Sequence, residues 1–331
     1  VLDLSGNYLN SSVPNSLYSL KHLRYLDLSI NEIEQDISEI LQKNQLSGTF
    51  PPSLGQLSNL ETLRFGHNLL EGVVLETHFS NLTRLTTLKA SQNMLRFESN
   101  SSWIPPFQCR TIELGQWHLG PKFPHWLKFQ KNLSKLDISQ AGISDSVPTW
   151  FLNLSPQFKY VNLSYNQLAG GISYLNVRDS VDLSSNRFTG PLPRERMEAL
   201  FIDKNLLTGE IPDCWNQLES LTFLNLGNNN LTGKIPPSLG RTGLDWLNLR
   251  NNSMFGELPS TLQNLTNLRI LDLSENHFSG NIPTWIGDKL STLMILSLRS
   301  NNFDGQIPHK ICDLQYLQNL DRIWTFLVTT F

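Results

Sequence analysis

Cysteine is nearly absent. Three residues in 331 are an odd number and too few for a small scaffold built on disulfides. Charge is sparse too: Asp, Glu, Lys and Arg make up 17% of the chain and the formal net charge is −3. No basic field is available to hold nucleic acid or an acidic membrane surface. Long apolar runs are also missing. A membrane helix needs about 20 apolar residues, and the apolar stretch 323–331 is too short. No glycine-rich phosphate loop opens a helix, and no kinase catalytic loop or magnesium-binding triplet occurs. The histidines (His22, His67, His78, His118, His125, His277 and His309) are scattered without metal-ligand spacing. These absences leave no candidate catalytic residue, metal site or cofactor, and they point away from an enzyme.

What the chain does contain is one recurring stretch. Leu271-Asp-Leu273-Ser-Glu-Asn276-His-Phe278-Ser-Gly280-Asn-Ile282-Pro283 reads LxLxxNxLxGxIP, with the first Leu as slot 0. Slot 5 recurs at Asn7, Asn31, Asn44, Asn68, Asn93, Trp117, Ala141, Asn166, Asn186, Asn205, Asn229, Asn252, Asn276 and Asn301, mostly in steps of 23 to 25. A fixed period with this core marks leucine-rich repeats. LxL alternates at period 2, so it predicts a short strand with both leucines facing in. Stacked units predict a parallel sheet on the concave side of a solenoid. An inward Asn must have its amide satisfied, which predicts a ladder of side-chain to backbone bonds. Trp117 and Ala141 interrupt that ladder, so local repacking is expected there. Gly at slot 9 permits a turn that a β-carbon would resist, and Pro at slot 12 fits the end of an extended segment. A further apolar column, Leu17, Leu54, Leu127, Phe151, Trp215, Leu239, Leu262, Ile286 and Ile311, reads as the outer wall of the core. Trp126 and Trp150, each two residues after a Pro, read as a stacked pair on that wall.

The full form LxGxIPxxLxxLxxLxxLxLxxN, in phrases such as 230–240, 281–287, 298–308 and 143–151, resembles the plant extracellular subclass of leucine-rich repeats, and within it the receptor-like proteins. The resemblance implies an α/β repeat solenoid, a horseshoe or superhelix with a parallel concave sheet and a 3-10 or irregular convex side. It covers residues 1–320, with 321–331 as a non-repeat tail. It also implies a ligand-binding ectodomain in defence or elicitor perception, at the plasma membrane on its extracellular side. The expected ligand is an extracellular protein, peptide or glycan, and signalling would pass through co-receptor kinases, since the family lacks a kinase of its own. Three alternatives stay open: a secreted polygalacturonase-inhibitor-like repeat protein, the ectodomain of a developmental receptor kinase, or a truncated non-functional paralogue.

Three regions break the period: 36–46, where the strand before Asn44 is missing, the loop 96–111, and the contracted stretch 193–206. The family would begin with a signal peptide and cap and end with a membrane span. Their absence reads as a fragment or faulty gene model, and an uncapped solenoid is expected to express poorly or aggregate. By resemblance, Cys312 and Cys214 would pair with cysteines one repeat away, and Cys109 with a Cys at the position of Trp117. Each partner is missing, so no intramolecular disulfide is expected.

Nine Asn-x-Ser/Thr sequons, at Asn10, Asn81, Asn100, Asn132, Asn153, Asn162, Asn230, Asn251 and Asn264, fit a glycosylated extracellular surface. The candidate ligand face comprises outward slots −2, −1, 1, 3 and 4 of the regular repeats: Phe223, Asn225 and Asn228; Trp246, Asn248 and Arg250; Arg269, Asp272 and Glu275; Ser297 and Arg299. Aromatics and Arg are the side chains that anchor interfaces, and Asn at slot 1 can hydrogen-bond an extended peptide.

Overall fold

The computed structural model describes residues 1–7, 9, 19–30, 46–193, 197–213 and 220–321, with the side chains of 319–321 excepted. The sequon at Asn10, Leu17, most of the 36–46 break, Cys214, Trp215 and the tail beyond 321 lie outside the described residues. The chain divides into two compact units, Val1–Leu168 and Ala169–Phe331.

In the first unit, the main sheet runs through Leu2–Asp3, Tyr25–Asp27, Thr62–Arg64, Thr87–Lys89, Thr111–Glu113, Lys135–Asp137 and Tyr160–Asn162, all parallel. The slot-0 residues pair across it, Leu63 with Leu88, Leu88 with Ile112, and Ile112 with Leu136. In the second unit, Ser180–Asp182, Ala199–Phe201, Phe223–Asn225, Trp246–Asn248, Ile270–Asp272, Ile295–Ser297 and Asn319–Asp321 repeat the arrangement. Both inward residues of the inner repeats are buried, for example Leu271 and Leu273, while Leu2 and Leu4 of the first strand are half-buried. The strands are three residues long because slot 2 is followed by a turn. Slot 4 takes a left-handed conformation at twelve non-glycine residues, with φ between +50° and +69°. Slot 4 is therefore a turn position, not a continuation of the strand.

Two of the breaks in period leave the strand pairing of the main sheet continuous. Tyr25–Asp27 pairs directly with Thr62–Arg64, so the strand missing before position 44 leaves no gap in the ladder. Its repeat still contributes Ser47–Thr49, which pairs with Leu69–Glu71. The contraction near 203 likewise retains the strand Ala199–Phe201, flanked on both sides.

A second set of parallel strands follows slot 5, and the irregular convex side expected from sequence does not include it. Ser47–Thr49, Leu69–Leu75 and Met94–Glu98 form one such sheet in the first unit. Ala169–Gly171, Arg187–Gly190, Leu206–Glu210 and Asn230–Thr232 form another in the second unit, and Phe255–Gly256, His277–Asn281 and Asn302–Asp304 a third. The slot-9 glycine sits inside these strands with positive φ, +79° at Gly280 and +87° at Gly209. Past Pro the chain winds into short helices, mostly 3-10, such as Pro52–Gln56, Pro237–Arg241 and Ser260–Asn264. The described members of the outer column (Leu54, Leu127, Phe151, Leu239, Leu262, Ile286 and Ile311) are all buried.

The Asn ladder forms. Asn276 Nδ2 donates to the carbonyls of Leu249, Leu273 and Ser274 at 2.9, 3.2 and 3.1 Å, and its Oδ1 accepts from Met254 N at 3.1 Å. Trp117 keeps one rung of it: its indole Nε1 donates to Ala90 O at 2.8 Å, the carbonyl of the preceding repeat that an Asn amide would reach, while the indole has no oxygen to accept the bond that Asn Oδ1 takes. Ala141 gives up only its own rung, because Asn166 Oδ1 accepts from the backbone of both Ala141 and Ile143 at 3.0 Å.

Trp126 and Trp150 do not form the expected stacked pair. Trp126 is buried against Phe97 and Trp103, while Trp150 packs edge-on against Phe123 and Phe151. The loop after Phe97 delivers Trp103 into the cluster around Trp126, whereas Trp150 packs with a separate group of rings. Cys109 is fully buried and free; burial pushes its thiol well above the ordinary range, which leaves it inert. Cys312 is free and exposed.

Candidate ligand-binding surface

The expected face lies on the solvent side of the second unit's main sheet. Its centre is aromatic. Phe223 and Trp246 sit on paired positions of adjacent strands with ring centroids 6.5 Å apart, nearly perpendicular. Phe201, which the sequence reading left out, completes the group at 6.3 Å from Phe223 and 5.9 Å from Trp246. Counting back from Asn205 puts Phe201 at slot 1, so the signal was present. It was obscured because that stretch looked contracted. Phe223 is exposed and the other two are half-buried.

Beside the aromatics lies an ionic group. Glu275 Oε1 accepts from one guanidinium nitrogen of Arg250 at 2.8 Å and from one of Arg299 at 3.1 Å. One carboxylate thus organises two cations from repeats on either side of its own and leaves a net positive charge. Arg250 Nε is buried without a hydrogen-bond partner among the described residues. On the other flank, Asp203 receives a bond from Asn225 Nδ2 at 2.9 Å. Burial first, and then the nearby Asp182 carboxylate, raise the Asp203 carboxyl above its usual range.

The remaining candidates divide by role. The slot-1 oxygens are engaged locally: Asp272 Oδ1 accepts from Ser274 N and Oγ at 3.0 and 2.6 Å, Asn248 Oδ1 from Arg250 N at 2.9 Å, and Asn225 Oδ1 from Gly227 N at 3.3 Å. These are Asx-type turns that start the left-handed bend. The Asn248 amide nitrogen has no bond among the described residues and stays available. Asn228 Oδ1 accepts from Asn251 Nδ2 at 3.0 Å, which ties two turn positions together. Arg269 is exposed. Ser297 differs from the other outward positions in being buried.

With strands about 4.8 Å apart, the patch from Ala199–Phe201 to Ile295–Ser297 extends roughly 19 Å across five strands. Nothing in it pairs a nucleophile with a base. Among the described residues, no group of three His, Cys, Asp or Glu could hold a metal, and no helix is long and apolar enough to cross a membrane.

Of the described sequons, Asn81, Asn100, Asn132, Asn153, Asn230, Asn251 and Asn264 are exposed, and Asn162 on the main sheet is half-buried.

Comparison with known proteins agrees with this architecture. A family model described as Leucine Rich Repeat matches residues 1–20, 220–242, 243–265, 267–288 and 292–314. The chain is 42% identical over 186 residues to Receptor-like protein EIX2 of Solanum lycopersicum, covering 54% of this chain and 18% of that protein. It is 44% identical over 128 residues to Receptor-like protein EIX1 of the same species, covering 38% and 12%. The chain therefore spans less than a fifth of the length of these relatives. Among solved structures, the plant peptide hormone receptor RGFR1 in complex with RGF2 superposes with a TM-score of 0.79 at 31% identity, over 96% of this chain and 50% of that one. The complex of PEPR1 with AtPEP1 gives 0.77 at 26% identity, over 96% and 47%. The chain's repeats are thus similar to those of plant receptor-like proteins and plant leucine-rich-repeat receptor ectodomains.

Proposed function

We propose that this chain is part of a ligand-binding ectodomain that perceives an extracellular protein or peptide in defence, on the outer side of the plasma membrane and in concert with co-receptor kinases. The observation that carries the reading is the solvent-facing group Phe201, Phe223 and Trp246 set beside the Arg250–Glu275–Arg299 ion group on rigid strands. Exposed aromatics cost solvation free energy unless a partner covers them, and aromatic and Arg side chains carry most of the energy of interfaces. Similarity to receptor-like proteins and to peptide-bound receptor ectodomains supports the same reading. The wider defence role rests on the EIX relatives.

The test is binding of microbial culture-filtrate proteins and peptides to the secreted ectodomain by biolayer interferometry. Trp246→Ala and Arg250→Ala should each weaken capture at least tenfold, while Lys128→Ala, in the other unit, should leave it unchanged. Equal capture by all four proteins would remove this surface from the reading.

A further inference from the structure

The irregular loop 96–111 builds a cavity that the ligand surface does not use. Its volume is about 310 Å³, within the range of small-molecule sites. Phe97, Phe123 and Trp126 supply apolar wall, Glu98, Lys122 and His125 supply polar groups, and Asn100 stands on its rim. Asn100 is held on three sides. Its backbone N donates to a Glu76 carboxylate oxygen at 2.9 Å, and its carbonyl accepts from Trp103 N at 2.9 Å. Its Oδ1 accepts from both Ser102 N at 3.0 Å and Ser102 Oγ at 2.9 Å. Trp103 anchors the loop by packing on Phe79, Phe97, Phe107 and Trp126. What remains is Asn100 Nδ2, for which no bond occurs among the described residues.

Asn100 and Ser102 are the first and third residues of a sequon. We infer that Asn100 carries an N-linked glycan and that the cavity beside it is the seat of the first sugar of that glycan. The modification joins Nδ2 to the anomeric carbon of a lipid diphosphate-linked oligosaccharide. Nδ2 loses one proton, and the lipid diphosphate leaves with the bonding electron pair. The attached N-acetylhexosamine has an apolar face suited to the aromatic wall. Its hydroxyls can donate to Glu98, whose other tie is an ion pair with Arg96 at 2.9 Å, and accept from Lys122. A rigid attachment point lowers the entropy cost of seating the sugar.

Two other described sequons lack this combination. Asn132 borders an open hollow of about 430 Å³ whose lining includes Glu61, Thr83, Arg84 and Pro106 but no aromatic residue. Asn162 has the same hydroxyl-held oxygen, with Ser164 donating from N and Oγ at 3.0 and 2.7 Å, but it is half-buried on the main sheet.

The experiment is site-resolved glycopeptide mass spectrometry of the chain secreted from plant or insect cells, before and after timed treatment of the native protein with peptide N-glycosidase. Asn100 should be occupied, and its glycan should be released at least tenfold more slowly than those on Asn81 and Asn264. Lys122→Ser combined with His125→Ser should abolish that protection while leaving occupancy intact. Ser102→Thr should retain occupancy and Ser102→Ala should lose it. An unmodified Asn100, or release as fast as from Asn81 and Asn264, would overturn the inference.

Discussion

At the scale of single residues, stability rests on buried polar groups that each have a partner. Trp117 shows how a residue that breaks the repeat pattern can still satisfy it: its ring fills the space of an Asn and its Nε1 meets Ala90 O. Ala90 O also accepts from Asn93 Nδ2 at 2.9 Å, so it is not orphaned when the indole is removed. Trp117→Phe should therefore cost about 1–2 kcal/mol, measured by chemical denaturation. His78 is a second case. It is buried, stacks on Phe50, accepts from Leu75 N at Nδ1 (3.0 Å) and donates from Nε2 to Phe50 O (3.1 Å). This arrangement needs the neutral ring, and burial lowers its pKa below the ordinary 6.5 despite the two backbone bonds. Above that value both folded and unfolded states are neutral. Below it the unfolded chain takes up the proton first, so stability falls with pH until the folded-state value is passed. The melting temperature should drop between pH 7 and 5, and His78→Gln should flatten that dependence while lowering stability at pH 7.

At the scale of elements, neighbouring repeats touch closely where the post-proline helices stack. A β-carbon on Gly240, at the end of Pro237–Arg241, would overlap the Thr261 carbonyl in Ser260–Asn264. Backbone cannot step aside as a flexible side chain can. Gly240→Ala should destabilise by about 1–3 kcal/mol, read from the denaturation midpoint. The main strands and their buried leucines were legible from LxL alone. The second strands were not foreseen, although slots 7, 9 and 11 carried the period-2 signal. From sequence alone, Gly at slot 9 reads as a turn, because its tolerance of positive φ does not reveal the strand pairing that surrounds it. The Trp126–Trp150 pair failed for a related reason: sequence spacing cannot show that Trp126 packs with Phe97 and Trp103 while Trp150 packs with Phe123 and Phe151.

At the scale of the molecule, each repeat contacts chiefly its neighbours, so damage should stay local. Asn276→Ala removes bonds to Leu249, Leu273, Ser274 and Met254. Hydrogen exchange by mass spectrometry should show faster exchange across 249–254 and 270–282 and unchanged exchange across 111–118. Uniform acceleration would instead mean that the whole array unfolds as one cooperative block.

Periodicity alone determined the repeat, the buried leucines, the Asn ladder and the positions of the outer column, because a unit that cannot bury its own apolar face must stack on copies of itself. Tertiary structure decided what the period cannot encode. It closed the strand pairing over the break between Asp27 and Thr62, brought Phe201 to Phe223 and Trp246, set Arg250 and Arg299 on one Glu275 carboxylate, and buried Ser297. It also held Asn100 beside an aromatic-walled cavity. Each of these depends on side-chain length and on neighbours about 20 to 40 residues away in the chain, which the slot pattern leaves free.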